Sequence, residues 1–122
     1  MVPGRTELTV RQILEEVARY QLHVHHVNYV TLTMKQRMQL MRDYVLGLDV
    51  EQVELLQELP WKPWVYAGDP EDLVKTKKII AEWVDGFFFL IDQALVLGIT
   101  AEDVAETFEA VLQKNYNRQE GS

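Results

Sequence analysis

The sequence predicts an all-α fold, and three observations carry that expectation. Apolar residues recur three and four positions apart in four separate segments. Each segment opens on a residue suited to cap a helix, namely Thr9, Thr33, Asp69 and Thr100. No segment alternates apolar and polar residues as a half-buried strand would. The expected architecture is a four-helix bundle in a single domain spanning residues 1–122.

The first helix is expected from Thr9, which has capping-box spacing to Gln12. Val10, Ile13, Leu14, Val17 and Val24 then mark one face, and the helix should end in the β-branched stretch from His26 to Thr31. The second starts near Thr33, with Gln36 as its box partner. Met34, Met38, Met41, Val45, Leu48, Leu55 and Leu59 are expected on its buried side, Gly47 to loosen it midway and Pro60 to end it. Trp61 to Gly68 reads as a loop. The third helix is expected to start at Asp69, with Pro70 at the first helical position and Glu71 and Asp72 near the positive helix end. Gly98 is its expected C-cap. The fourth should run from Thr100, with Asp103 three residues on, to about Asn115. Residues 1–8 and 119–122 read as loose ends.

Composition excludes several function classes. The chain has no cysteine, so disulfides and thiolate metal sites are ruled out and structural zinc is disfavoured. A formal net charge of −7 argues against a duplex nucleic-acid partner, which would need a basic patch, and suits a chain whose carboxylates hold cations. The most apolar stretch, Trp83 to Leu97, is broken by Asp85 and Asp92 and is too short to span a bilayer. No basic segment followed by an apolar run marks a secretion signal. The expectation is a cytoplasmic protein with no nucleic-acid or membrane partner.

Two acid pairs carry the chemistry. Glu51 and Glu54 lie three apart on the second expected helix, and Glu82 and Asp85 lie three apart on the third. Residues three apart are neighbours on one helix face, and two antiparallel helices can bring such faces together. Four converging carboxylates repel one another, and burial makes the repulsion worse. Hard cations with oxygen ligands relieve it, magnesium being the usual one where phosphates also bind. A pair such as Glu51 and Glu54, taken alone, is commonly just a solvated surface, and Glu58 leaves the register of that pair open. Glu82 and Asp85 stand in the run from Ile79 to Ile91, which is apolar almost all round, and a helix of that kind is expected to be buried.

The pattern Glu51–x–x–Glu54 followed by Glu82–x–x–Asp85 resembles the signature of the all-α nucleoside triphosphate pyrophosphohydrolases, the MazG-like enzymes and dimeric dUTPases. The segment from Val53 to Trp64 is similar to the acid helix and Pro-Trp-Lys-x-Trp loop of phage-type members, and Lys114–Asn115–Tyr116–Asn117–Arg118–Gln119 resembles the family's cationic tail. The resemblance covers roughly residues 35–120. It implies a MazG-like bundle completed by oligomerisation, to a dimer or tetramer. It also implies cleavage of a (deoxy)nucleoside triphosphate to the monophosphate and pyrophosphate. Glu51, Glu54, Glu82 and Asp85 would then be catalytic residues that bind magnesium, with manganese able to substitute. Lys114, Asn115, Asn117 and Arg118 would contact phosphates, in the host cytoplasm if the chain is phage-encoded. The preferred base stays open among dUTP, dGTP and broad use. So do two rivals: a non-catalytic helical interaction module, and a related hydrolase acting on a phosphoribosyl nucleotide.

Other residues carry weaker signals. Trp61 can stack on a base or cap the end of the bundle, and Lys62 can reach a phosphate or simply be solvated. His23, His25 and His26 read as structural, interface or surface groups, because the chain lacks the Glu-x-x-His pair of a di-iron bundle. Phe87, Phe88 and Phe89 are expected in the core or at a subunit interface. The exposed apolar surplus of the third helix is expected to make the chain at least a dimer, with residues of one chain lining the other's pocket.

Overall fold

A computed structural model describes residues 6–59 and 76–121. Its elements are α1 (Val10–His25), α2 (Met34–Gln57), α3 (Lys77–Leu97) and α4 (Ala101–Gly121), with no strand among the described residues. The chain is all-α. Helix α3 is central among the described elements: α2 packs along it, α1 packs on it separately, and α4 packs on α1, with Ala101 at its start reaching the core.

Local chemistry fixes three of the helix starts. The Thr9 hydroxyl accepts from Gln12 N (3.1 Å) while Gln12 Oε1 accepts from Thr9 N (2.8 Å). Thr33 and Gln36 repeat this box at 3.2 and 2.8 Å. Thr100 and Asp103 close the third, at 3.1 and 2.9 Å. Each box satisfies two backbone N–H groups that the first helical turn leaves without partners. Helix α3 ends at Gly98 in the left-handed region (φ 72°), where glycine carries no Cβ penalty. Helix α1 ends at His26, also left-handed (φ 58°), and Val27 N donates back to Gln21 O (3.1 Å).

Five expectations need correction. Helix α3 starts at Lys77 rather than Asp69, because Thr76 is extended and its hydroxyl caps Ile79 N (3.2 Å); Asp69, Pro70, Glu71 and Asp72 lie outside the described residues, as does Pro60. Helix α4 continues to Gly121 instead of stopping near Asn115, so residues 119–121 are helical. Gly47 does not loosen α2, which is unbroken through it. Met34, Met38 and Val45 are exposed, and Tyr44 is the buried residue of α2, with Leu48, Leu55 and Leu59 half-buried.

The core is small. Among the described residues Leu14, Val17, Tyr44, Ile91 and Val96 are its buried apolar side chains; Leu14, Val17 and Ile91 form one cluster, with Ile13, Phe87, Ala94, Leu95 and Ala101 packed around them. A buried polar network lies alongside. Asp92 Oδ1 accepts from Gln21 Nε2 (3.1 Å) and from the Tyr29 hydroxyl (3.4 Å), which also pairs with the Tyr44 hydroxyl (2.8 Å). Arg37 donates to the carbonyls of Val96 and Tyr29, both at 2.6 Å, tying the α1–α2 connection to the end of α3. Helix α3 is not buried all round: Ile80, Trp83, Phe88 and Leu90 are exposed. Among the described residues no single helix is long and apolar enough to cross a membrane.

Candidate metal centre

Two glycines let α2 and α3 approach closely where the acids lie. A Cβ built on Gly86 would stand 3.3 Å from Leu48 Cδ1 and 3.8 Å from Glu51 Cβ. A Cβ on Gly47 would stand 2.6 Å from Cε1 of Phe89, well inside van der Waals contact. The close crossing carries Glu51 of α2 to Glu82 and Asp85 of α3. One carboxylate oxygen from each of these three lies within 4.8 Å of the other two. Glu51 and Glu82 are half-buried and Asp85 is exposed.

Two oxygens of the cluster have no partner. Glu51 Oε2 and Glu82 Oε2 are buried and make no hydrogen bond, a costly state for a polar atom. Burial, followed by the charges of Glu54 and Asp85, pushes the Glu51 carboxyl above its usual range. Glu54 is exposed and lies outside the three-oxygen cluster, and its charge acts on Glu51 from the neighbouring turn of α2. Glu58 pairs instead with Lys78 (3.2 Å). Oxygen ligands sit about 2.0–2.6 Å from magnesium or calcium, so oxygens on opposite sides of an ion are about 4–5 Å apart. The cluster therefore has the spacing and the unpartnered oxygens that a hard divalent cation requires.

Two grooves adjoin the acids. One is largely apolar, between α2 and α3, lined by Leu48, Leu55, Trp83 and Leu90 together with Glu51 and Glu82. The Trp83 ring stacks on Phe87 there, with centroids 5.5 Å apart. The other runs from Glu51 and Asp85 past Phe88 and Phe89 to Gln21, His25 and Asp92. His25 shares a hydrogen bond with Gln21 Oε1 (2.7 Å) and sets its ring edge against Tyr20. His23 and His26 are exposed. The Gln21–Asp92 pair is the feature the sequence analysis missed; an acid seven residues beyond Asp85 on the same apolar helix was its one visible signal.

The remaining candidates stand elsewhere. Lys114, Asn115, Asn117 and Arg118 are exposed on the C-terminal half of α4, which makes no contact with the acid-bearing parts of α2 and α3. Asn117 Oδ1 accepts from Gln113 Nε2 (3.0 Å). Trp61 and Lys62 lie outside the described residues.

A family model described as dUTPase matches residues 13–119, from the first turn of α1 almost to the end of α4. No curated protein and no solved structure matches the chain.

Proposed function

The chain belongs to the dUTPase family, and from that membership we propose that it is a single-domain, divalent-metal-dependent enzyme that cleaves a nucleoside triphosphate to the monophosphate and pyrophosphate. A nucleotide pyrophosphohydrolase role in general follows from the family; the substrate, the metal and the residue roles are our proposals. The observation that carries them is the meeting of Glu51, Glu82 and Asp85 with two buried, unpartnered oxygens.

Glu51, Glu54, Glu82 and Asp85 would hold magnesium, which manganese can replace. When bound, such an ion neutralises phosphate charge and makes water a stronger nucleophile at neutral pH. Glu54, outside the three-oxygen cluster and exposed, is the acid we assign to take a proton from the attacking water. Lys114 and Arg118 are assigned to the charge that develops on the leaving pyrophosphate, with Asn115 and Asn117 as further phosphate contacts. Trp61 and Lys62 are assigned to the base and to a phosphate.

The working form is a homo-oligomer, a dimer or tetramer, acting in the cytoplasm without nucleic-acid or membrane partners. The exposed Ile80, Trp83, Phe88 and Leu90 of α3 support this assembly. The test is a nucleotide panel with dUTP first, the substrate that the family's description names. Equimolar monophosphate and pyrophosphate, formed only with a divalent cation, supports the proposal. A panel with no turnover favours a non-catalytic helical interaction module.

A further inference from the structure

We propose that α4 is an exchanged arm: its apolar stripe seats in the groove between α2 and α3 of a second copy, and carries Lys114 and Arg118 to that copy's acid cluster. The inference rests on the proposed function for the roles of those residues, but its geometry is independent of it.

Helix α4 has 21 residues and none is buried. At 3.6 residues per turn, Val104, Phe108, Val111 and Leu112 share one broad face. Phe108, Val111 and Leu112 of that face are exposed. This is the pattern of a helix that packs on a core, yet among the described residues α4 packs only at its start, against α1 and, through Ala101, the edge of the core. Lys114 and Arg118 follow one edge of the stripe, while Glu102, Glu106 and Glu109 lie on the opposite side. Whatever covers the stripe therefore meets those cations along its border.

The cations cannot serve the acids of their own chain. Helix α4 departs from α3 with a bend of 108°. By helix rise, Lys114 is about 20 Å out along α4 and Asp85 about 18 Å back along α3, which puts them on the order of 20 Å apart or more. A lysine side chain spans only about a third of that.

The groove offers the complementary surface. Leu48, Leu55, Leu56, Trp83, Phe87 and Leu90 line it together with Glu51 and Glu82, whose buried Oε2 atoms have no partner. An apolar stripe with a cationic border thus complements an apolar groove that carries two acids, and an amphipathic helix in such a groove is a recurrent mode of recognition. The occupant is a second copy, because the chain supplies both halves and its own geometry keeps them apart.

Two measurements test this. In the first, Glu82→Gln and Lys114→Ala/Arg118→Ala chains are co-expressed with different tags and the mixed oligomer is purified. Each variant alone is expected to be inactive. The mixed oligomer has one site in every two with intact acids and an intact arm, and should recover about half the wild-type turnover. A mixed oligomer that stays inactive overturns the proposal, as does full activity of the Lys114→Ala/Arg118→Ala protein alone. The second measurement needs no nucleotide. The chain has no cysteine, so Val111→Cys on one chain and Leu48→Cys or Leu55→Cys on the other report contact through a disulfide. A linked dimer with either partner is expected, and its absence with both overturns the proposal. Should the wild type cleave no nucleotide, the enzymatic reading fails while the disulfide still decides the arm.

Discussion

The ring of Phe89 on α3 lies over Gly47 of α2, so closely that a Cβ at Gly47 would meet its Cε1 at 2.6 Å. Glycine inside a helix costs about 1 kcal/mol relative to alanine, so the contact is the reason for glycine here. Gly47→Ala should destabilise the fold, since overpacking of about 1–3 kcal/mol outweighs the propensity gain. In a Phe89→Leu background the same change should become stabilising. A double-mutant cycle by urea denaturation checks this; a stabilising Gly47→Ala in the wild type would show that the ring moves aside freely.

The local signals of the fold were legible in the sequence. Thr9 with Gln12, Thr33 with Gln36, Thr100 with Asp103 and the terminal Gly98 all act over a few residues, and all are seen. The start of α3 was misread because Asp69–Pro70 and Thr76 are both plausible caps, and local sequence does not rank them. Met34 and Met38 were expected inside because periodicity defines an apolar face without saying what covers it. The acid spacing on each helix was legible; the meeting of Glu51 with Glu82 and Asp85, with Glu54 outside, depended on two glycine contacts that only the tertiary structure shows. The Asp92–Gln21 pair joins residues 71 apart, beyond any local pattern.

Asp92 should give stability an acid-side gain. Burial raises its carboxyl above the usual range, while the hydrogen bonds from Gln21 and Tyr29 pull it back. A carboxyl whose folded pKa exceeds its unfolded value binds a proton more readily in the folded state, so its contribution falls as pH rises through that window and returns as pH drops. Relative to Asp92→Asn, which has no charge to lose, the wild type should therefore gain stability as pH falls from neutral through the carboxylate range. Denaturant midpoints of both proteins at several pH values measure the difference; the opposite slope would mean that Asp92 is ionised and stabilised by its partners.

Deleting residues 114–122 should lower kcat/KM strongly while moving the thermal midpoint little. None of residues 114–121 is buried, so little apolar area is lost from the fold. Steady-state kinetics beside a thermal melt check both halves of the expectation. Full activity in the shortened chain would remove Lys114 and Arg118 from the site.

Light scattering at micromolar concentration should report at least a dimer. Among the described residues only Leu14, Val17, Tyr44, Ile91 and Val96 are buried apolar side chains, beside many exposed ones, which leaves apolar surface for a second copy to cover. A monodisperse monomer that hydrolyses nucleotides would show that one chain builds the whole site.

The most direct test of the acid site is magnesium-dependent pyrophosphate release by Glu54→Gln and Asp85→Asn beside the wild type, with helical content followed by circular dichroism. Altering groups that only support metal ligands costs about 10–100-fold, so loss of a ligand should cost at least about 100-fold with the helices intact. Removing one crowded carboxylate should also leave the metal-free protein as heat-stable as the wild type or more so. Near-normal turnover by both variants at saturating magnesium would contradict the four-acid site.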